Sequence, residues 1–200
     1  MRFTRAELES FRGAMVPDVL PDPLRLLLVG INPSLLSAAV GAHFARPGNR
    51  FYPALAAAGI ISRAIDVSSG WTPQAQAEFD RTGVGITNLV PQASVRADEL
   101  SRAQLRAGAE SLARLVSGHH PKVVAVLGVT AYRQGFGRPH AAVGEQPESL
   151  SWYDGSGASR LFVLPNPSGL NAHETVASLA HAYGEAADAA GIVRRPVGSL

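Results

Sequence analysis

Two matching tripeptides, Asn32-Pro33-Ser34 and Asn166-Pro167-Ser168, lie over 130 positions apart in this 200-residue chain. Asparagine donates and accepts hydrogen bonds, but its nitrogen lone pair is delocalised and its oxygen is barely basic, so it can orient a water or a polar ligand without deprotonating it. The proline that follows restricts the asparagine to extended geometry and stiffens the loop, so both amides are held in place. A third asparagine, Asn88, ends the run Val84-Gly85-Ile86-Thr87. Asparagine is also a common turn residue because its side chain bonds its own backbone. That reading comes first for Asn88, whereas the repeated N-P-S context favours a functional one for Asn32 and Asn166.

The elements that must position these residues are legible as apolar runs. Leu26-Leu27-Leu28-Val29 suits a strand buried on both faces of a parallel sheet, and Val84 to Val90 and the apolar run Lys122 to Leu127 read as second and third strands. Helices are expected at Phe51–Ala58, from Pro73 to Gly83, from the capping box Ser101-x-x-Gln104 onward, over Ala131–Gly135 and over Glu174–Ala190. Leu150–Tyr153 and Arg160–Leu164 bracket a Gly/Ser turn as a hairpin would. The alternation gives an α/β fold, a three-layer sandwich with a central, mostly parallel sheet of four or five strands flanked by helices. The whole chain reads as one domain, with a capping-box helix of about ten residues and a Pro-rich lead-in over 1–23 and a loose tail over 192–200. The stretch Ile31–Gly48 reads as a long ordered loop rather than a helix. In a parallel sheet the carboxyl ends of the strands share one edge, which is where such folds bind ligands, so the three asparagines are expected to line one cleft.

Composition narrows the chemistry. With 46% hydrophobic and 17% charged residues and a net charge of +2, the chain is that of an ordinary globular protein, and charge alone does not point to nucleic acid. Without cysteine, neither a thiolate-held zinc nor an iron–sulfur cluster can form. No membrane span or signal peptide is read, and a cytoplasmic location is expected. There is no G-x-G-x-x-G after the first strand, no G-x-x-x-x-G-K-[ST] and no G-x-S-x-G, so no dinucleotide, nucleotide or hydrolase-elbow site is expected, nor any cofactor. His119-His120 precede a strand on the wrong edge, and His140 and His181 have no ligand-like neighbours in sequence, so no metal site is expected either.

Gly30-Ile31-Asn32-Pro33-Ser34 together with Asn166-Pro167-Ser168-Gly169-Leu170 resembles the motif pair of the uracil-DNA glycosylase superfamily, and within it the mismatch-specific uracil/thymine DNA glycosylases. Ala45-Arg46-Pro47-Gly48-Asn49-Arg50-Phe51, Gly85 to Val90 and Tyr132 to Phe136 look like that family too, so the likeness spans roughly Leu26 to Tyr183. The resemblance implies hydrolysis of the N-glycosidic bond of a uracil mispaired with guanine in double-stranded DNA, by a monomer that flips the base out of the stack. It implies that Asn32 positions the water, that Phe44 stacks on the base, that the backbone amides of Ile31 and Phe44 contact it, and that Ser37 lies near its C5 edge. His43 falls where thymine-active members also carry a histidine, and Asn166 belongs to the base-binding side. Gly169, Leu170 and Asn171 would enter the gap in the duplex, with Leu170 as the apolar wedge. Ser34 departs from the glycine of many relatives, and Ala172 from the arginine of some. An amide in place of a carboxylate at position 32 implies that the glycosidic bond breaks largely before water attacks, with the departing base anion held by amide donors. Arg46 and Arg50 are open between phosphate binding and plain solvation. Two other functions fit parts of the pattern: a non-catalytic module for damaged DNA or nucleobases, and an N-glycosyl hydrolase of small nucleosides.

Overall fold

The computed structural model describes residues 3–195. Its centre is a five-stranded sheet in the order β2-β1-β3-β5-β4, built from β1 (Leu26–Gly30), β2 (Val84–Asn88), β3 (Val123–Leu127), β4 (Gly144–Ser151) and β5 (Ala158–Leu164). β1 runs parallel to both β2 and β3, and β3 parallel to β5, while β4 pairs antiparallel with β5. The helices are α1 (Arg5–Glu9), α2 (Leu35–Val40), α3 (Phe51–Ala57), α4 (Pro73–Thr82), α5 (Arg102–His119), α6 (Val129–Gly135) and α7 (Val176–Ala189).

Side chains alternate across the pleat, and both faces of the sheet are dry over its centre, while β4 at the edge is half exposed. Leu26, Leu28, Ile86, Ala125, Leu127 and Phe162 pack toward Phe51, Leu55, Phe79, Leu179 and Tyr183 of α3, α4 and α7. Leu27, Val29, Val124, Val126, Leu161 and Val163 pack toward Leu105, Leu112, Val116 and Tyr132 of α5 and α6. This is the three-layer arrangement expected from the continuous apolar runs. Every residue of β1 and β3 is buried, which is why these strands show no hydrophobic alternation in sequence.

Three expectations need correction. The segment after β1 is not all loop: Ser34 caps a short helix, α2, by accepting the Ser37 amide at 3.1 Å, and Gly41 closes it with φ +66°. α1 is five residues long, not about ten, although its Thr4/Glu7 capping box forms as expected. The tail expected to be loose begins docked: Ile192 is buried, Arg194 pairs with Asp188 at 2.7 Å, and the Arg195 amide donates to the Gly59 carbonyl at 2.9 Å. An apolar Ile192 and two groups that complete hydrogen bonds hold this stretch against α3 and α7, and the remainder, 196–200, lies outside the described residues.

From β1 the chain crosses to β2 on one side, and from β3 it crosses to β5 on the other. The carboxyl ends of β1 and β3 therefore diverge into a crevice at the point where the strand order reverses. The parallel pairing of β1 and β2 also continues beyond the strands. Leu89 and Val90 donate to the carbonyls of Gly30 and Ile31, and Ser94 donates to Pro33 at 3.2 Å. The loop after β2 is thereby laid alongside the loop after β1.

Candidate active site

That crevice is a cleft of about 310 Å³ lined by Ile31, Asn32, Ser37, His43, Phe44, Asn88, Asn166 and Leu170. The size is at the lower end of small-ligand sites. Except for Gly169 and Asn171, every site residue expected from sequence lines it.

Gly30 makes the crowded floor possible. It faces Asn88 across the β1–β2 register, and a Cβ there would stand 2.4 Å from Asn88 Oδ1 and 3.1 Å from the Phe44 ring. The absent side chain lets both residues lean over the strand end. Phe44 holds φ +55°, a left-handed conformation that is costly for a bulky residue. Its ring stacks on buried Phe51 with centroids 3.9 Å apart and planes 20° apart. That aromatic pair offsets part of the strain and sets the ring in the cleft wall.

His43 is 2% exposed and has both ring nitrogens engaged. Nε2 lies 2.9 Å from the Pro17 carbonyl, which can only accept, so Nε2 carries the proton. Nδ1 is then the acceptor for Asn88 Nδ2 at 2.9 Å. Burial pushes the imidazole below its ordinary range, against the opposing effect of the Pro17 bond and nearby Asp18, and so keeps it neutral. Orientation passes outward along this chain: with its NH2 turned to His43, Asn88 presents Oδ1 to the cleft. His43 thus touches the cleft mainly through what it does to Asn88.

Asn32 is fixed by the same logic from the other side. Its Nδ2 lies 2.8 Å from Ser94 Oγ and 3.1 Å from the Pro33 carbonyl. Among the described residues its Oδ1 has no hydrogen-bond partner, and it is not sealed from solvent. Ser37 is buried and spends its hydroxyl on Ser34 Oγ at 3.0 Å and on the Ala45 amide at 3.2 Å, so it shapes the α2 end of the cleft. Asn166 Oδ1 accepts the Ser168 amide at 2.9 Å and closes a turn, leaving Nδ2 as its available donor.

The loop after β5 forms the opposite rim. Leu170 is 73% exposed there, an apolar side chain held in water at the mouth of a polar cleft. Arg50 holds the loop that carries it. Its guanidinium donates to the carbonyls of Ser168 at 2.5 Å, Asn171 at 2.7 Å and Glu174, while its own backbone amide donates to Pro167 at 3.0 Å. Gly169 packs so closely on the Gly48 backbone that a Cβ would stand 2.7 Å from its carbonyl oxygen. Arg50 is therefore a structural clamp rather than a merely solvated residue. Arg46 is exposed on the cleft rim.

A sequence profile of the Uracil DNA glycosylase superfamily matches residues 17–186. The chain belongs to that superfamily. A solution NMR structure from Methanosarcina acetivorans, described as a "putative Uracil DNA glycosylase", shares the fold with a TM-score of 0.50 at 16% identity, over 86% of this chain and 98% of that one. Both N-P-S tripeptides fall inside the matched region and meet at one cleft.

Two contributors to the site have roles that the sequence does not reveal. Ser94 lies 62 residues from the asparagine it contacts and belongs to no motif. Arg50 was visible as a basic residue, but its three carbonyl partners are 118 to 124 residues away. Among the described residues no group of three or more metal-ligating side chains is found, and no helix is long and apolar enough to cross a membrane.

Proposed function

We propose that this chain is a DNA glycosylase that hydrolyses the N-glycosidic bond of uracil mispaired with guanine, leaving an abasic site and an intact backbone. The observation that carries this reading is the convergence of two loops on one cleft, one ending in an Asn32 Oδ1 with no partner among the described residues and the other in an exposed Leu170.

In the proposed reaction Leu170 enters the duplex beside the mispair, and Gly169 and Asn171 face the orphaned guanine. The uracil rotates into the cleft, a step made cheaper by its weak pairing. Phe44 stacks on its face, the backbone amides of Ile31 and Phe44 and the Asn166 amide serve as donors, and Ser37 and His43 shape the wall. The bond from the sugar C1′ to the uracil N1 breaks with its electron pair going to the base, leaving an oxocarbenium-like sugar and a uracil anion. Water held by Asn32 Oδ1 then adds to C1′ and loses its proton to solvent or to the departing base. Asn32 has no basicity to contribute, so its role is to place the water. Fixed donors and placement of this kind typically supply on the order of 10²–10³ in rate each.

The test is a panel of duplexes carrying one uracil, thymine or other modified pyrimidine opposite guanine or adenine, assayed for alkali-labile abasic sites. G·U is expected to be cleaved fastest. A chain that binds the duplexes and releases no base would be a recognition module, and one that turns over free deoxyuridine but no duplex would be a nucleoside hydrolase.

A further inference from the structure

The surroundings of Asn32 contain a device that neither the motif nor the family match assigns. Ser94 is 8% exposed and its backbone is tied to the loop after β1 by the bond from its amide to Pro33. Its Oγ lies 2.7 Å from the Arg96 carbonyl and 2.8 Å from Asn32 Nδ2. A carbonyl cannot donate, so the single hydroxyl proton points at Arg96 and only lone pairs face Asn32. The other groups near Asn32 Nδ2 are the carbonyls of Pro33 at 3.1 Å and Gln92 at 3.4 Å. All three groups within hydrogen-bond distance of Nδ2 accept from it.

We propose that Ser94 is a positioning residue for the attacking water, and that the ring of acceptors it completes commits position 32 to an amide. If the amide turned by 180°, Oδ1 would face three acceptors, so Nδ2 stays inward and Oδ1 stays toward the cleft. A carboxylate at position 32 would meet two carbonyls that cannot donate and a hydroxyl whose one proton is already given to Arg96, so Ser94 could serve it only by giving up that bond. The carboxylate would either take up a proton, and so cease to be a base, or swing out of the position that places water. A superfamily fold with this loop therefore gains no general base from the change Asn32→Asp. The proposal rests on the reading of Asn32 as the residue that holds the water, and the test separates the two.

The test compares wild type, Ser94→Ala, Ser94→Thr, Asn32→Asp and Asn32→Ala by single-turnover excision from a G·U duplex at saturating protein, across pH 5.5–9, and by the side-chain amide signals of Asn32 in 15N-edited NMR without DNA. Loss of one neutral hydrogen bond to the positioning amide corresponds to roughly a three- to tenfold slowing. Ser94→Ala is expected to slow excision by about that factor with duplex affinity unchanged, and Ser94→Thr, which keeps the hydroxyl, to restore it. Asn32→Asp is expected to be slower than wild type at neutral pH and to gain rate only as pH rises above the ordinary carboxylate range. The Asn32 amide protons, assigned by their loss in Asn32→Ala, should be protected from solvent exchange in wild type and Ser94→Thr and unprotected in Ser94→Ala. An Asn32→Asp variant faster than wild type at pH 7, or amide protection unchanged by Ser94→Ala, would overturn the proposal. If wild type releases no base from any duplex, the glycosylase reading fails, while the NMR comparison still decides whether Ser94 fixes the amide.

Discussion

At the scale of single residues, the cleft is organised by hydrogen-bond direction more than by charge. Two backbone carbonyls, Pro17 and Arg96, act as fixed acceptors from which orientation propagates: through His43 to Asn88, and through Ser94 to Asn32. The His43 chain makes a prediction about pH. Its folded-state pKa is depressed below the ordinary value of about 6.5. As pH falls, the unfolded chain binds the proton first. The stability tied to neutral His43 is then complete above about pH 6.5 and is lost as pH falls toward the folded pKa, with a slope of at most about 1.4 kcal/mol per pH unit. A protonated ring would also turn a second N–H on Asn88 Nδ2 and cost the cleft that acceptor. Thermal midpoints measured between pH 7 and pH 5 should fall more steeply for wild type than for His43→Gln. Parallel slopes would remove His43 from this role. None of this direction-setting was legible in sequence. Asn32 and Asn166 stood out by their prolines, whereas Asn88 read first as a turn residue and His43 gave no sign that both of its nitrogens would be occupied.

At the scale of elements, two close approaches decide where the cleft walls stand. Gly30 lets Asn88 and Phe44 lean over the end of β1, and a methyl group there has no room. Gly30→Ala is expected to cost about 1–3 kcal/mol, the range for inserting carbon into a filled site. That corresponds to a fall of several degrees in thermal midpoint for a chain of this size. It should also displace Asn88, so excision should slow by more than the stability loss explains; a variant with wild-type midpoint and rate would show that the floor has slack. Arg50 is the second device. Its fork-shaped guanidinium satisfies three carbonyls of the loop carrying Leu170, a task the single ammonium of lysine cannot repeat. Arg50→Lys is expected to destabilise by about 2–3 kcal/mol and to raise amide exchange selectively over residues 166–174. Base flipping, followed with 2-aminopurine beside the mispair, should weaken in parallel. Uniform exchange across the chain would mean that Arg50 supports the fold and not that loop in particular. The short helix α2 belongs to this scale too. Six residues span fewer than two turns, too few for helical periodicity to emerge, although Ser34 and Gly41 mark its two ends.

At the scale of the whole molecule, the legible part is the part that is buried on both sides. β1 and β3 are read from sequence because a strand covered by helices on both faces becomes a continuous apolar run, and β5 is read as the arm of a hairpin across a Gly/Ser turn. β4 begins six residues before the expected arm, since Gly144–Ser151 is a half-exposed edge strand that carries charges and Pro147 within a register shift. These are features that keep an edge from pairing with other chains, and they erase the strand signal. The order of strands then explains why motifs far apart in sequence meet: the switch between β1 and β3 opens the crevice, and both N-P-S loops end on it. The central claim is that this crevice removes uracil by placing water with Asn32. It is tested most directly by single-turnover release of uracil from a G·U duplex by wild type and Asn32→Ala, with duplex affinity measured alongside. The account predicts a rate lower by on the order of 10²–10³ in Asn32→Ala with affinity retained. Equal rates for the two proteins, or no abasic site from either, would contradict it.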